Sequence, residues 1–231
     1  MHGVGTGGAF PTAGEAPALR HLAAALPDAH PGGSGVSLFP YTFRMTKEVE
    51  IKFCVEDMRA LGLRLRKAGF HRVTARTHEL NTLYDLPGQA LRRRGELLRL
   101  RKYGDHWILT HKAKGKTGRH KSRAETETRV SDGVEMDGIL RALGFRPSFR
   151  YEKFRAEWSD GKGHVVIDET PIGNLGEIEG PARWIDRTAR VLAVHASQYI
   201  TRSYAELFLD WKRRTRSTAR NMTFAEVRRR S

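Results

Sequence analysis

From residue 46 onward the chain alternates apolar and polar side chains in short runs, separated by stretches with helical spacing. Val49, Ile51 and Phe53 alternate with Glu48, Glu50 and Lys52, which is the period of a strand with two unlike faces. Met58, Leu61, Leu65 and Ala68 then follow helical spacing, and Gly69-Phe70 ends that helix as a C′ glycine does. The unit recurs. Glu125-Thr-Glu-Thr-Arg129 leads into a helix carrying Val134, Ile139, Leu140 and Leu143, closed by Gly144-Phe145. Glu177-Ile-Glu179 leads into a helix started by Pro181 and carrying Ile185, Val191 and Leu192. Three E-x-E strands each feed a helix, a pattern we read as a duplicated β-α unit with a partial third copy.

Strand pairs lie between these units. Residues 96–103 and 106–114 flank a tight Gly104-Asp105 turn, and residues 150–158 and 164–169 flank Ser159-Asp-Gly-Lys-Gly163. A last helix over roughly 197–213 is amphipathic through Ile200, Tyr204, Leu207, Phe208 and Trp211. The class is α+β with a mostly antiparallel sheet, and the globular domain spans 45–211. Residues 1–44 show no periodicity and hold eight of the 23 glycines and five of the nine prolines, so they are expected to be disordered. Arg20 and His21 break their one apolar stretch, which argues against a signal peptide, and Met45 stands where translation could instead begin.

Composition narrows the classes. No apolar run approaches the ~20 residues of a membrane-spanning helix, and the single cysteine, Cys54, excludes an intramolecular disulfide or a cysteine-built zinc site. A cytoplasmic protein is the expectation. With 41 Lys+Arg against 26 Asp+Glu the formal charge is +15, which implies an anionic partner. Residues 1–44 are neutral, 45–211 carry +8 and 212–231 carry +7. The last segment reads as a solvated basic tail, and contact with nucleic acid is expected nowhere else.

Within 45–211 the charges fall in phase on the strands. Glu48, Glu50 and Lys52 share a face; so do Arg99 and Arg101, Lys112 and Lys114, and Arg123, Glu125, Glu127 and Arg129. Lys153, Arg155 and Glu157 form another set, Asp168 is in phase with Val166, and Glu177 and Glu179 flank Ile178. One such strand would be an ordinary solvated sheet face. Several together, with helices needing the apolar face, point the charged faces either to solvent or into the lumen of a closed barrel. Clustered carboxylates suit hard divalent cations, and clustered Arg and Lys suit phosphate oxygens. Together they describe a metal–polyphosphate site.

Glu48-x-Glu50-x-Lys52 resembles the signature of the CYTH family, the triphosphate tunnel enzymes that include class IV adenylyl cyclases and thiamine triphosphatases. Leu98-Arg-Leu-Arg101, the Lys112 strand, Arg123-x-Glu125-x-Glu127, Lys153-x-Arg155 and Asp168…Gly176-Glu-Ile-Glu179 follow in the family's order. The resemblance implies a closed eight-stranded antiparallel barrel forming a tunnel with a charged lumen and helices outside. It implies Mg²⁺ or Mn²⁺ held by Glu48, Glu50, Asp168, Glu177 and Glu179, with Glu125 and Glu127 as further candidates. It implies that Lys52, Arg99, Arg101, Lys112, Arg123, Lys153 and Arg155 grip the phosphates, and that turnover depends on Lys52, Glu50 and Glu179.

The implied substrate is a small-molecule triphosphate: inorganic triphosphate, ATP or thiamine triphosphate. Hydrolysis and cyclisation of ATP compete as reactions, with hydrolysis slightly ahead. The His-Phe that class IV cyclases often carry four residues before E-x-E-x-K is here Thr42-Phe43. A non-catalytic polyphosphate or RNA binder is the alternative of another class, but it gives no reason for carboxylates in phase with the bases. Other motifs are read as coincidence. The G-x-G-x-x-G at 3–8 follows no strand, Gly115-Lys-Thr117 lacks the first P-loop glycine and is read as a flexible hairpin loop, and His106, His111, His120 and His164 lack ligand spacing. A chain starting at Met45 is expected to melt at the temperature of the full chain, because nothing upstream has a burial pattern. A clearly lower Tm would contradict this.

Overall fold

The computed structural model describes residues 46–227. The expectations for residues 1–45 and 228–231, including the disordered extension and Thr42-Phe43, lie outside the described residues. Nine strands form in chain order: β1 (Thr46–Cys54), β2 (His71–Asp85), β3 (Leu97–Tyr103), β4 (His106–Lys112), β5 (Lys116–Thr117), β6 (Lys121–Val130), β7 (Arg146–Ser159), β8 (His164–Thr170) and β9 (Gly173–Glu179). Eight pair in the order β1-β9-β8-β7-β2-β3-β4-β6, and β6 pairs back to β1, which closes the barrel. Every pairing is antiparallel. The short β5 adds to β6 through Lys116–Ser122 and Thr117–Lys121, so the 115–117 segment is a paired hairpin rather than a flexible loop.

Closure sends one face of each strand inward. The apolar residues of β1, Val49, Ile51 and Phe53, face outward, where α1 (Met58–Lys67) and α4 (Ala182–Val191) cover them. The main core therefore lies outside the barrel wall: Ile51, Phe53, Val165, Ile167 and Ile178 meet Leu61 and Leu65 of α1 and Ile185 and Ala189 of α4. Asp57 caps α1 by accepting from the Arg59 and Ala60 backbone amides at 2.8 and 2.9 Å, and Gly69 at φ +85° ends the helix. Gly176 stands opposite Phe53 across the β1–β9 pair, where any Cβ would strike the Phe53 ring.

The three E-x-E strands that feed helices, β1, β6 and β9, are neighbours in the barrel, in the order β6-β1-β9. The third of these helices begins with Pro181 as its N-cap. Between β6 and β7, α3 (Gly133–Ala142) buries Leu140 against Tyr84 and Leu100, but Val134, Ile139 and Leu143 of the expected stripe are exposed. A short helix, α2 (Ala90–Arg94), joins β2 to β3. The helix expected over 197–213 is α5 (Tyr204–Thr215), which starts later because Ser203 and Glu206 form a capping box and Ile200 bridges to Lys52 of β1. Among the described residues no helix is long and apolar enough to cross a membrane.

Residues after Trp211 do more than trail into solvent. Met222 is fully buried in a cluster with Tyr151, Leu175, Tyr204 and Phe208, and its backbone bridges to Tyr151 of β7. A final short helix, α6 (Phe224–Val227), follows, and the Phe224 amide donates to Glu152 at 2.6 Å. The arginines and lysines around Met222 mask its contribution in the sequence, because one apolar residue sets no period. Met222→Ala is expected to cost about 2–5 kcal/mol in chemical denaturation, whereas Leu143→Ala on α3 stays within about 0.5 kcal/mol. Equal effects would contradict this packing.

Candidate functional site

Strand period and barrel closure together bring the predicted residues to one place. A cavity of about 1050 Å³ runs into the barrel and is lined by Glu48, Glu50 and Lys52 of β1, Arg99 and Arg101 of β3, Lys112 of β4, Arg123, Glu125 and Glu127 of β6, Lys153 and Arg155 of β7, and Glu177 and Glu179 of β9. Asp168 is placed differently. It is fully buried behind Lys153 and Arg155 and does not line the cavity.

The charges are sorted by strand. β6, β1 and β9 form a wall rich in carboxylates that also holds Lys52, Lys121 and Arg123, and the inward charges of β3 and β4, with Lys153 and Arg155 of β7, are basic. The groups pair within the first wall and across the lumen. Lys112 donates to Glu48 at 2.6 and 2.8 Å and lies 2.9 Å from Glu125. Lys52 lies 2.8 Å from Glu50 and 3.3 Å from Glu177. Arg155 donates through both nitrogens to Asp168 at 2.8 and 2.7 Å and reaches Glu177 at 2.5 Å, while Lys153 donates to Asp168 at 2.8 Å. Arg99 is 3.7 Å from Glu127 and donates to Thr110 at 3.2 Å. Such pairs hold long side chains at fixed positions, and loss of one partner leaves an uncompensated buried charge.

Three contributors escaped the sequence reading. Glu79 and Asn81 of β2 are fully buried; Glu79 lies 3.5 Å from both Arg101 and Lys153, and Asn81 accepts from Arg101 at 3.2 Å. Lys121 of β6 lines the cavity 3.4 Å from Glu50 and stands two positions before Arg123, a phase that marks it as inward.

The pairing sets the protonation states. Burial alone would raise the Glu50 carboxyl, but Lys52 and Lys121 outweigh it and hold it at about 2. Burial would likewise lower the Lys52 ammonium, yet Glu177 and Glu50 hold it above the ordinary lysine range, so Lys52 is a fixed cation rather than a base. Glu79 is held well below the carboxylate range against its own burial by Arg101, Lys153 and Arg155. Lys121 is brought down to about 8 by burial and by Lys52 and Arg123. Glu179 is the exception among the acids: burial, with Glu48, Glu177 and Glu50 close by, pushes it up to about 7. Opposite it in register stands Glu50, another carboxylate.

That crowding is the test of whether this wall fits a metal. Glu48, Glu50, Glu177 and Glu179 line one side of the cavity, with Glu50 and Glu179 opposite each other in register, and their hard carboxylate oxygens are the donors that Mg²⁺ or Mn²⁺ takes. Among the described residues no three His, Cys, Asp or Glu side chains converge into a ready-made cage. The fit therefore rests on the placement of these carboxylates and their donor chemistry. The buried Nε of Arg99 on β3 and of Arg123 on β6 make no hydrogen bond, although Arg123 Nε lies 3.7 Å from Glu48, and both are donors suited to an anion's oxygens.

Known proteins share this architecture. The model of the CYTH domain matches residues 46–191. A Methanocaldococcus jannaschii protein named "Putative adenylate cyclase" is 26% identical over 171 residues, spanning 69% of this chain and 97% of its own length. A solved structure from Vibrio parahaemolyticus, described as a "putative adenylate cyclase", superposes with a TM-score of 0.62 at 20% identity and covers 70% of this chain and 97% of its own. A Hippeastrum protein described as a "putative adenylyl cyclase" with a dominant triphosphatase activity superposes at 0.52 and 18% identity, covering 71% of this chain and 95% of its own.

The Glu179 environment gives a pH prediction. An acid whose folded pKa is raised costs stability only in its ionised form; the cost is absent below about 4.5, grows up to about 7 and persists above. Glu179→Gln is expected to raise the Tm of the metal-free protein near pH 8 and to change it little near pH 5. A lower Tm for the variant near pH 8 would contradict the crowding.

Proposed function

The chain belongs to the CYTH family, and from that premise we propose that it is a metal-dependent enzyme acting on a triphosphate held in the barrel lumen, with hydrolysis of an inorganic or organic triphosphate favoured over cyclisation. The observation that carries this reading is the sorting of charge, a carboxylate wall on β6-β1-β9 facing basic strands around one cavity. A plain anion binder has no use for the first wall, and a plain metal site has no use for the second.

In this reading Arg99, Arg101 and Arg123 orient phosphate oxygens through their N–H groups, and Lys52, Lys112 and Lys153 act as point charges. Arg155, whose Nε and Nη2 are held by Asp168 and Glu177, offers its remaining nitrogen. The Nε atoms of Arg99 and Arg123, which make no hydrogen bond within the protein, take phosphate oxygens as their acceptors. Glu48, Glu50, Glu177 and Glu179 are the residues to hold Mg²⁺ or Mn²⁺. Glu125 and Glu127 are drawn toward Lys112 and Arg99, and Asp168 anchors Lys153 and Arg155 from behind. When bound, the ion supplies charge that polarises the phosphoryl group. The residues of this chain bind, orient and neutralise, so catalysis is mostly positioning and electrostatic stabilisation.

The same clamp serves either reaction, and what differs is the nucleophile. Cyclisation needs a surface to hold adenosine while the ribose folds back. Of the three aromatic candidates, Tyr84 donates to Asp137 and Tyr103 donates to Glu157, while Phe149 stacks on Tyr151 with centroids 5.8 Å apart. The buried Tyr84 ring and the stacked Phe149 ring favour hydrolysis, as does the triphosphatase activity described for the Hippeastrum protein. The names of the archaeal and Vibrio proteins favour cyclisation.

One substrate screen separates the readings. With Mg²⁺ or Mn²⁺, inorganic triphosphate is expected to be hydrolysed faster than ATP, with chelation abolishing turnover. Stoichiometric cyclic AMP and pyrophosphate from ATP, with inorganic triphosphate left intact, would establish the cyclase instead. Anion binding that weakens on adding metal, without turnover, would establish the non-catalytic binder.

A further inference from the structure

Tyr204 opens α5, which packs on the inward-facing Phe149 and Tyr151 of β7 and lines the cavity, and its hydroxyl lies among the lumen charges. Its single proton is shared between Asp168, 2.5 Å away, and Glu177, 2.9 Å away. The ring stacks on Tyr151 with centroids 5.5 Å apart and lies beneath two ammonium groups, Lys153 at 4.5 Å and Lys52 at 5.6 Å. The residue is buried, and burial together with Asp168 and Glu177 holds its phenol well above the ordinary tyrosine range, so the oxygen keeps its proton.

The two carboxylates it meets are the ones that hold the clamp. Asp168 accepts from Lys153 and from both ends of the Arg155 fork, and Glu177 pairs with Arg155 and Lys52. Asp168 and Glu177 are like charges on adjacent strands, joined from one side by Arg155 and from the other by this single hydroxyl. An acceptor left unsatisfied in this setting reorients toward whatever donor remains. Here that means a shift of Arg155 and the two lysines.

Resting on the triphosphate reading above, we infer that Tyr204 is a positioning residue: its hydroxyl bridges Asp168 and Glu177 so that Lys52, Lys153 and Arg155 present their donors to the phosphate chain. α5, which lines the cavity, then shapes the clamp as well as bounding it. Its seat is secured apart from the hydroxyl by the Ser203–Glu206 capping box and by Phe208 stacked near Phe149.

Tyr204→Phe keeps the stacking and removes only the hydroxyl. The test measures binding of inorganic triphosphate by calorimetry without divalent metal, kcat and KM with Mg²⁺, and Tm. Phe208→Leu serves as a packing control that leaves the hydroxyl in place. Tyr204→Phe is expected to weaken metal-free binding and to lower kcat/KM by about 10- to 100-fold, well beyond any loss in Phe208→Leu at equal or greater Tm loss. Binding and kcat/KM within twofold of the parent chain would overturn the role of the hydroxyl, and so would an equal loss in Phe208→Leu at matched Tm. A parent chain that neither binds nor hydrolyses triphosphate would overturn the underlying reading as well.

Discussion

A charged side chain inside a closed barrel must find an opposite charge or a ligand, because the wall denies it bulk water. This constraint organises the molecule. Closure of β6 onto β1 places thirteen of the fourteen residues expected in the site along one cavity, and the fourteenth, Asp168, directly behind it. Each cation of the basic strands is then held by a carboxylate or a hydroxyl, as Lys112 is by Glu48 and Arg99 by Thr110. The pairing keeps flexible side chains ordered. It also keeps them ionised against burial, as Glu50 and Lys52 show.

A lumen given over to charge must leave the apolar core elsewhere. The barrel wall is apolar on its outer side, where α1, α3 and α4 bury their stripes, while α5 packs on Phe149 and Tyr151 along the cavity. Stability and chemistry thus occupy opposite faces of the same strands, and one residue's shift in register would exchange them. Tyr204 joins the two, packing its ring on Tyr151 and placing its hydroxyl on Asp168 and Glu177. At Glu179 the carboxylates crowd one another. The carboxylate wall suits a metal at that point, and the basic strands suit the phosphates.

Most inward charges were legible because their strands have one apolar face. Alternation in β1, β3, β4, β6, β7 and β9 identified Glu48 through Glu179, and the eight-stranded closed barrel expected from the family resemblance is the fold observed. β2 was not legible. His71–Asp85 is polar on both faces over much of its length, since no helix covers its first half, and so Glu79 and Asn81 sent no signal. Lys121 did send one, in phase with Arg123. Tyr204 looked like an ordinary apolar-face residue, because helical spacing says which face is buried but not where a hydroxyl ends up. Val134, Ile139 and Leu143 show the converse: a stripe wider than the contact that α3 makes, with Leu140 alone of the four buried.

The central claim is that the lumen, not the outer basic surface, is where the phosphate chain sits. A crystal structure with inorganic triphosphate and Mn²⁺ tests it most directly, since the anomalous signal of the metal locates it independently of the phosphates. The account predicts phosphate oxygens among Lys52, Arg99, Lys153 and Arg155, with the manganese on the Glu48, Glu50 and Glu179 side. Triphosphate bound only to outer arginines, such as Arg93, Arg94, Arg213 or Arg214, with the lumen pairs of Lys112–Glu48 and Arg155–Asp168 intact and no anion between them, would contradict it.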